Sequence, residues 1–388
     1  MKINTICVHS GNKDDDTYGA LHTPIYLTSN YRIPTDGTPV DWSGIHSNIY
    51  ARNRNVNQSV LEDKLKEIEG AEDCVTLASG VAALHSVFAT HLKHGDHVIC
   101  SQVCYSAVNI LFRDILPEQV GIEVSMIDTR DIEIIRANIK SNTKLIHIET
   151  PGNPTTGISD IAEISKLAKH NNILLSVDNT FASPLYQKPL SLGADLVVHS
   201  MTKYINGHGD ALGGCVLGSH ELIEDIKLKA MVNFGGIISP FNAYLINRGL
   251  VTLPLRMKQH SETAMKVAEF LSTLPFVKFV YYPGLKSHPQ HDIACKQMTG
   301  FSGMISFALH TAEEKVNYTF LDNLSLISHA VSLGDGETLI VYNDKSSEKL
   351  PYYPTEFHDG FFRLSIGLED ADDLINDFNN SFIKCNLK

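Results

Sequence analysis

Lys203 stands in Ser200-Met201-Thr202-Lys203-Tyr204, just after an apolar run at Asp195–His199 and before the turn Gly207-His208-Gly209-Asp210. An amine at the end of a buried strand can attack a carbonyl and form an imine, and hydroxyls three residues and one residue earlier can hold an anionic phosphate. Taken alone, Lys203 could equally be an ordinary surface lysine following a strand. A second group changes the balance: Ile173–Val177 runs directly into Asp178-Asn179-Thr180. A carboxylate at the C-terminal end of a buried strand lies where α/β sheets bind ligands. Such a group can also do no more than cap a turn. The third piece is Ser79-Gly80-Val81, between the run Cys74–Leu77 and a helical stretch through Ala82, Ala83 and Leu84. Free N–H groups at a helix start, with glycine permitting close approach, suit a phosphate. An imine-forming lysine, an anion site and an aspartate that keeps a pyridinium nitrogen protonated together describe a site for pyridoxal 5'-phosphate.

These groups need a sheet to place them. Short continuous apolar runs recur at Cys74–Leu77, His97–Cys100, Val124–Ile127, Leu145–Ile148, Ile173–Val177, Leu196–Val198 and Ala211–Leu217. Runs without polar alternation suit strands covered on both faces, so the chain reads as α/β with a mostly parallel central sheet. Little chain separates the last run from the one before it, which leaves an antiparallel direction open for it as the alternative. Residues 58–69 have helical periodicity and stop at Gly70. Residues 1–57 read as an N-terminal arm, 58–245 as the ligand-binding α/β domain, and 246–388 as a smaller C-terminal α+β domain. The last is expected to contain a helix over Pro254–Leu274 opened by its proline, strands at Gly303–Ala308 and Phe361–Ile366, and a final helix near Asp370–Phe382.

Composition excludes several classes. With 388 residues and 43% hydrophobic content the chain can bury a large core, and a formal charge of −12 argues against nucleic acid as a partner. The start of the chain has no signal-like apolar core and no stretch reaches membrane-spanning length, so no membrane association and a cytoplasmic location are expected. Seven scattered cysteines without a C-x-x-C pair point to neither disulfides nor a thiolate metal site. Gly207-x-Gly209 is not completed as a dinucleotide fingerprint, because Leu212 stands in the third position. His288-Pro289-Gln290-His291 lacks the carboxylates of a metal site and suits a loop or interface, so no metal is expected.

From Gly19-Ala20-Leu21-His22-Thr23-Pro24-Ile25-Tyr26 to Arg363-Leu364-Ser365-Ile366-Gly367-Leu368-Glu369-Asp370, the sequence resembles the Cys/Met-metabolism pyridoxal-phosphate enzymes. That resemblance implies fold type I, the aspartate-aminotransferase-like fold. It makes Lys203 the Schiff-base lysine, turns Ser200, Thr202, Gly80 and Val81 toward the cofactor phosphate, and sets Asp178 on the pyridinium nitrogen. Tyr105, in Cys104-Tyr105-Ser106-Ala107, would stack on the ring and move protons, and Asn153 would approach the ring hydroxyl. Tyr50 and Arg52 match an element that reaches the neighbouring subunit's phosphate, implying a homodimer with shared active sites, usually within a homotetramer. Arg363 would hold the substrate α-carboxylate by a bidentate pair, with Ser332 beside it.

The resemblance further implies a lyase that eliminates the γ (or β) substituent of a sulfur-containing or γ-substituted amino acid, giving an α-keto acid and ammonia. A γ-replacement synthase is the alternative, and a non-catalytic homologue is the reading of a different class. Ser332–Ile340, Gly207–Asp210 and Ser239–Ala243 lean toward methionine γ-lyase or the sulfhydrylases. Two stretches depart from the family pattern. Ser106-Ala107-Val108 replaces a glycine-rich run, with Ala107 where methionine γ-lyases usually have a cysteine, and Val341–Ser347 replaces an H-P-A-S-x-T-H element. Both lie where a side chain would be recognised.

Overall fold

A computed structural model describes residues 1–12, 18–311, 313–347 and 350–387. Seven strands form the first sheet: β1 (Asp73–Leu77), β2 (His97–Ser101), β3 (Glu123–Ile127), β4 (Thr143–Glu149), β5 (Leu174–Asp178), β6 (Leu196–Ser200) and β7 (Gly214–Gly218). Their order is β1-β7-β6-β5-β4-β2-β3, and β7 alone runs against its neighbours. The last run therefore takes the antiparallel alternative, in a shorter strand. Val98, Ile99, Cys100, Leu175 and Val177 are each wholly inaccessible, as continuous apolar strands between two helical layers must be. One layer is represented by helix Gly80–His91 and the other by helix Ile161–His170, each packed on its own face of the sheet.

Parallel direction has a direct consequence for the chemistry. The C-terminal ends of β1, β4, β5 and β6 share one edge, so Leu77, Glu149, Asp178 and Ser200 finish side by side. The register fixes this, pairing Glu149 with Asp178 and Ser200 with Gly214. Gly80 lies three residues beyond β1, and Lys203 three beyond β6.

A second sheet of five strands contains β8 (Val277–Tyr281), β9 (Met304–Leu309), β10 (Ser328–His329), β11 (Leu339–Asn343) and β12 (Phe361–Ser365), in the order β10-β11-β12-β9-β8. Its core stacks Phe307 on Phe362 at 5.0 Å and packs helix Ala371–Lys384 against the sheet through Phe378 and Phe382.

Three local features differ from the sequence expectations. The arm contains a helix, Ile3–His9, whose buried Cys7 joins a cluster with Leu61 and Leu65; its seven residues are too few for a clear periodic signal. The helix near residue 58 begins at Val56, where the Asn55 side chain accepts the Asn57 N–H at 2.9 Å. The long helix opens at Pro240, not Pro254, and runs to Ser272. Both prolines could stand first in a helix, but only Pro240 follows a capping residue, Ser239, whose hydroxyl accepts the Asn242 N–H at 3.1 Å. Pro254 lies within the helix.

Candidate active site

A cavity of about 640 Å3 opens at the shared edge of the first sheet, walled on its other side by β11 and β12. It is within the size range of small-molecule sites. Gly80, Val81, Tyr105, Asn153, Asp178, Ser200, Thr202, Lys203, Ser332 and Arg363 all line it. Tyr50 and Arg52 do not. Tyr50 is exposed, and Arg52 lies 5.5 Å over its ring while donating to the Val232 carbonyl.

Beyond β1, the sequence starts a helix at Gly80 because the Ser79 hydroxyl caps it, accepting the Ala82 N–H at 3.1 Å. Ala83 N–H reaches the Ser79 carbonyl, which leaves the N–H groups of Gly80 and Val81 without helical acceptors. A Cβ at position 80 would come within 2.7 Å of the Ser200 Cβ, so glycine keeps the cradle open. Thr202 has its hydroxyl tied to Gly213, accepting that N–H at 3.1 Å.

Asp178 is 6% exposed and accepts the Thr180 N–H at 3.0 Å. Burial raises its pKa, with the Thr180 hydrogen bonds and the charge of His199 opposing. A partner carrying a positive N–H would favour its ionised form. Thr180 also accepts the Ser200 N–H at 2.8 Å, locking the ends of β5 and β6 together.

Lys203 donates to the Ser332 hydroxyl at 2.8 Å. Burial first, then the positive charge of Arg363, lowers its pKa from 10.5 to about 8. Arg363 in turn donates to Asn153 Oδ1 at 3.1 Å and to the Ser332 carbonyl at 2.7 Å, while its inaccessible Nε has no partner among the described residues. Ser332 therefore connects the amine to the guanidinium, and it does so with φ at +85°, an uncommon conformation for a non-glycine residue.

Sequence reasoning missed Glu149. Its carboxylate accepts the Tyr105 N–H and the Asn153 N–H, each at 2.7 Å, and so positions two residues from different loops. The signal was the one that singled out Asp178, a carboxylate closing an apolar strand. Glu149→Ala strands two N–H groups, and charge-assisted bonds of this kind contribute about 1.5–3 kcal/mol each. The variant is expected to lose about 3 kcal/mol of stability in urea unfolding and at least about tenfold in turnover.

The groups present fit pyridoxal phosphate: an open glycine cradle at a helix start, a carboxylate whose pKa burial raises, and an amine whose pKa burial lowers to about 8, all at one edge. The chain is 48% identical over 385 residues to a canavanine γ-lyase of Rhizobium leguminosarum bv. trifolii, covering 98% of this chain and 96% of that one. It is 42% identical to an L-methionine γ-lyase of Fusobacterium nucleatum subsp. polymorphum, covering 98% of each. Among solved structures, that of cystathionine γ-lyase from Lactobacillus plantarum complexed with L-serine superposes with a TM-score of 0.91 at 35% identity, covering 100% of both chains. Fold type I is thus the architecture, and the chain is a pyridoxal-phosphate-dependent lyase. Among the described residues, no helix is long and apolar enough to cross a membrane. Residues 4–383 match the profile described as Cys/Met metabolism PLP-dependent enzyme, and the chain belongs to that family.

Proposed function

We propose that this enzyme eliminates an oxygen- or sulfur-linked substituent from the γ-carbon of an amino acid, with canavanine the first substrate to examine. The observation that carries the reading is the Lys203–Ser332–Arg363 chain, which sets a depressed-pKa amine beside a carboxylate anchor. The names of relatives at 48% and 42% identity support γ-chemistry.

Pyridoxal phosphate, when bound, supplies an aldehyde carbon that joins an amine and a protonated ring that draws electrons from the bonds beside that carbon. Gly80 and Val81 N–H groups and the Ser200 and Thr202 hydroxyls would hold its phosphate. Asp178 would keep the ring nitrogen protonated, Tyr105 would stack on the ring, and Asn153 would hold the ring hydroxyl. Arg363 fixes the substrate carboxylate, using the fork geometry of its guanidinium. Lys203, neutral above about pH 8, takes the α-proton and then carries a β-proton. The bond from the γ-carbon to its heteroatom breaks, and the Tyr105 hydroxyl helps the departing group leave with a proton. One water is consumed, and the carbon skeleton leaves as an α-keto acid with ammonia, without net oxidation or reduction.

Tyr50 and Arg52, exposed and outside this cavity, are assigned to the phosphate site of a second copy in a homodimer. Incubating the holoenzyme with canavanine, methionine, homocysteine, cystathionine, cysteine and O-acetylhomoserine, with and without added thiol, tests the reading. Keto acid and ammonia are expected without thiol. A thioether formed only when thiol is present identifies a γ-replacement synthase instead.

A further inference from the structure

The cavity has regions of different character. Lys203, Asp178 and Arg363 supply charged groups to it; beyond Arg363, along β11 and the turn after it, Val341, Asn343, Ser347 and Tyr353 form a wall without charge. We propose that Asn343 and Ser347 select the substrate, by accepting hydrogen bonds from a γ-substituent that ends in a planar N–H array such as a guanidine. The inference rests on the γ-elimination reading above.

Strand geometry places the wall at the right depth. Val341 pairs with Arg363 across β11 and β12, and Asn343 is two residues farther along the same face. That step is about 7 Å, close to the span from the carboxylate of an extended amino acid to the atoms beyond its γ-substituent's first heteroatom. Tyr342, between them, points to the other face, where its hydroxyl accepts from Asn317 Nδ2 at 2.8 Å. This anchors β11 and leaves Asn343 aimed at the cavity. Asp344 then reverses the chain: its carboxylate accepts the Ser346 N–H at 2.8 Å, and its carbonyl accepts the Ser347 N–H at 3.3 Å. Ser347 thereby returns to the wall facing Asn343.

Neither the Asn343 amide nor the Ser347 hydroxyl has a hydrogen-bond partner among the described residues, although both line the cavity. A substituent ending in methyl leaves them unpaired, whereas a guanidine satisfies both acceptors. Sites built to hydrogen-bond a substrate N–H or O–H discriminate strongly against an analogue that lacks it. Burial pushes the neighbouring Tyr353 phenol up, so it stays neutral and the wall carries no formal charge. A neutral wall of acceptors suits a guanidine attached through oxygen, which is far less basic than an alkylguanidine.

The test compares kcat/KM for L-canavanine, whose γ-carbon bears an oxygen-linked guanidine, with that for L-methionine, using holoenzyme. In Asn343→Leu the canavanine-to-methionine ratio is expected to fall at least about tenfold, the equivalent of one lost hydrogen bond. Ser347→Ala should move it the same way by a smaller factor. Asn343→Asp, similar in size and carrying a negative charge, should raise KM for methionine more than for canavanine. Ratios unchanged within about twofold in all three variants overturn the assignment, as does a wild-type enzyme that cleaves methionine but not canavanine. A wild type that cleaves other γ-substituted amino acids but not canavanine also overturns the assignment, and one that binds cofactor yet releases keto acid from none of them overturns the γ-elimination reading itself.

Discussion

Lys203→Ala is expected to slow elimination by at least about 10^4-fold, because in the proposed mechanism it removes the covalent anchor for the cofactor and the carrier of two protons at once. Borohydride reduction followed by peptide mass analysis should attach the cofactor to the Lys203 peptide of the wild type and to no peptide of the variant. Attachment elsewhere, or turnover within tenfold of wild type, removes Lys203 from the centre of the reaction. The pH dependence follows from the same residue. Its pKa is depressed to about 8, so the amine is protonated and unreactive below that value and neutral above it. The rate at which cofactor-free protein takes up pyridoxal phosphate covalently should therefore rise with pH and level off above about 8. An ordinary lysine would keep rising past pH 10. Ser332→Ala deletes the hydroxyl that receives the Lys203 amine at 2.8 Å, so it should change the uptake profile without removing the attachment point.

What could be read from the sequence was whatever the chain encodes locally. Continuous apolar runs reveal the strands, and their common direction puts Asp178 and Lys203 at one edge, because parallel strands end together. Gly80 was legible for the same reason, as a glycine between a strand and a helix. Glu149 ends a strand as Asp178 does, but its role in holding the backbone N–H groups of Tyr105 and Asn153 leaves no mark in residue type. Ser332 was placed near the substrate by resemblance. Its link to both Lys203 and Arg363 depends on a left-handed backbone conformation that serine does not advertise. The helix start at Pro240 was missed because two prolines carry the same signal, and only the cap at Ser239 separates them. Asn343 and Ser347 stood in a stretch marked as a departure, but which side chains face the cavity depends on the register of β11 against β12.

Arg363 carries the other large effect. Among the described residues, its guanidinium is the only arginine group lining the cavity and its buried Nε has no partner. Arg363→Lys keeps the charge but loses the fork that pairs with a carboxylate in two parallel bonds. With charge-assisted bonds worth about 1.5–3 kcal/mol each, loss of one should raise KM about 10- to 100-fold, and Arg363→Ala should do more. A merely structural arginine would instead lower stability while leaving KM near its wild-type value. A second readout separates the two roles. Arg363 charge contributes, after burial, to the depression of the Lys203 pKa. Removing it in Arg363→Ala should shift the covalent uptake of cofactor to higher pH, whereas Arg363→Lys should shift it less. If KM rises without any change in the uptake profile, the carboxylate anchor stands but its electrostatic hold on the amine does not.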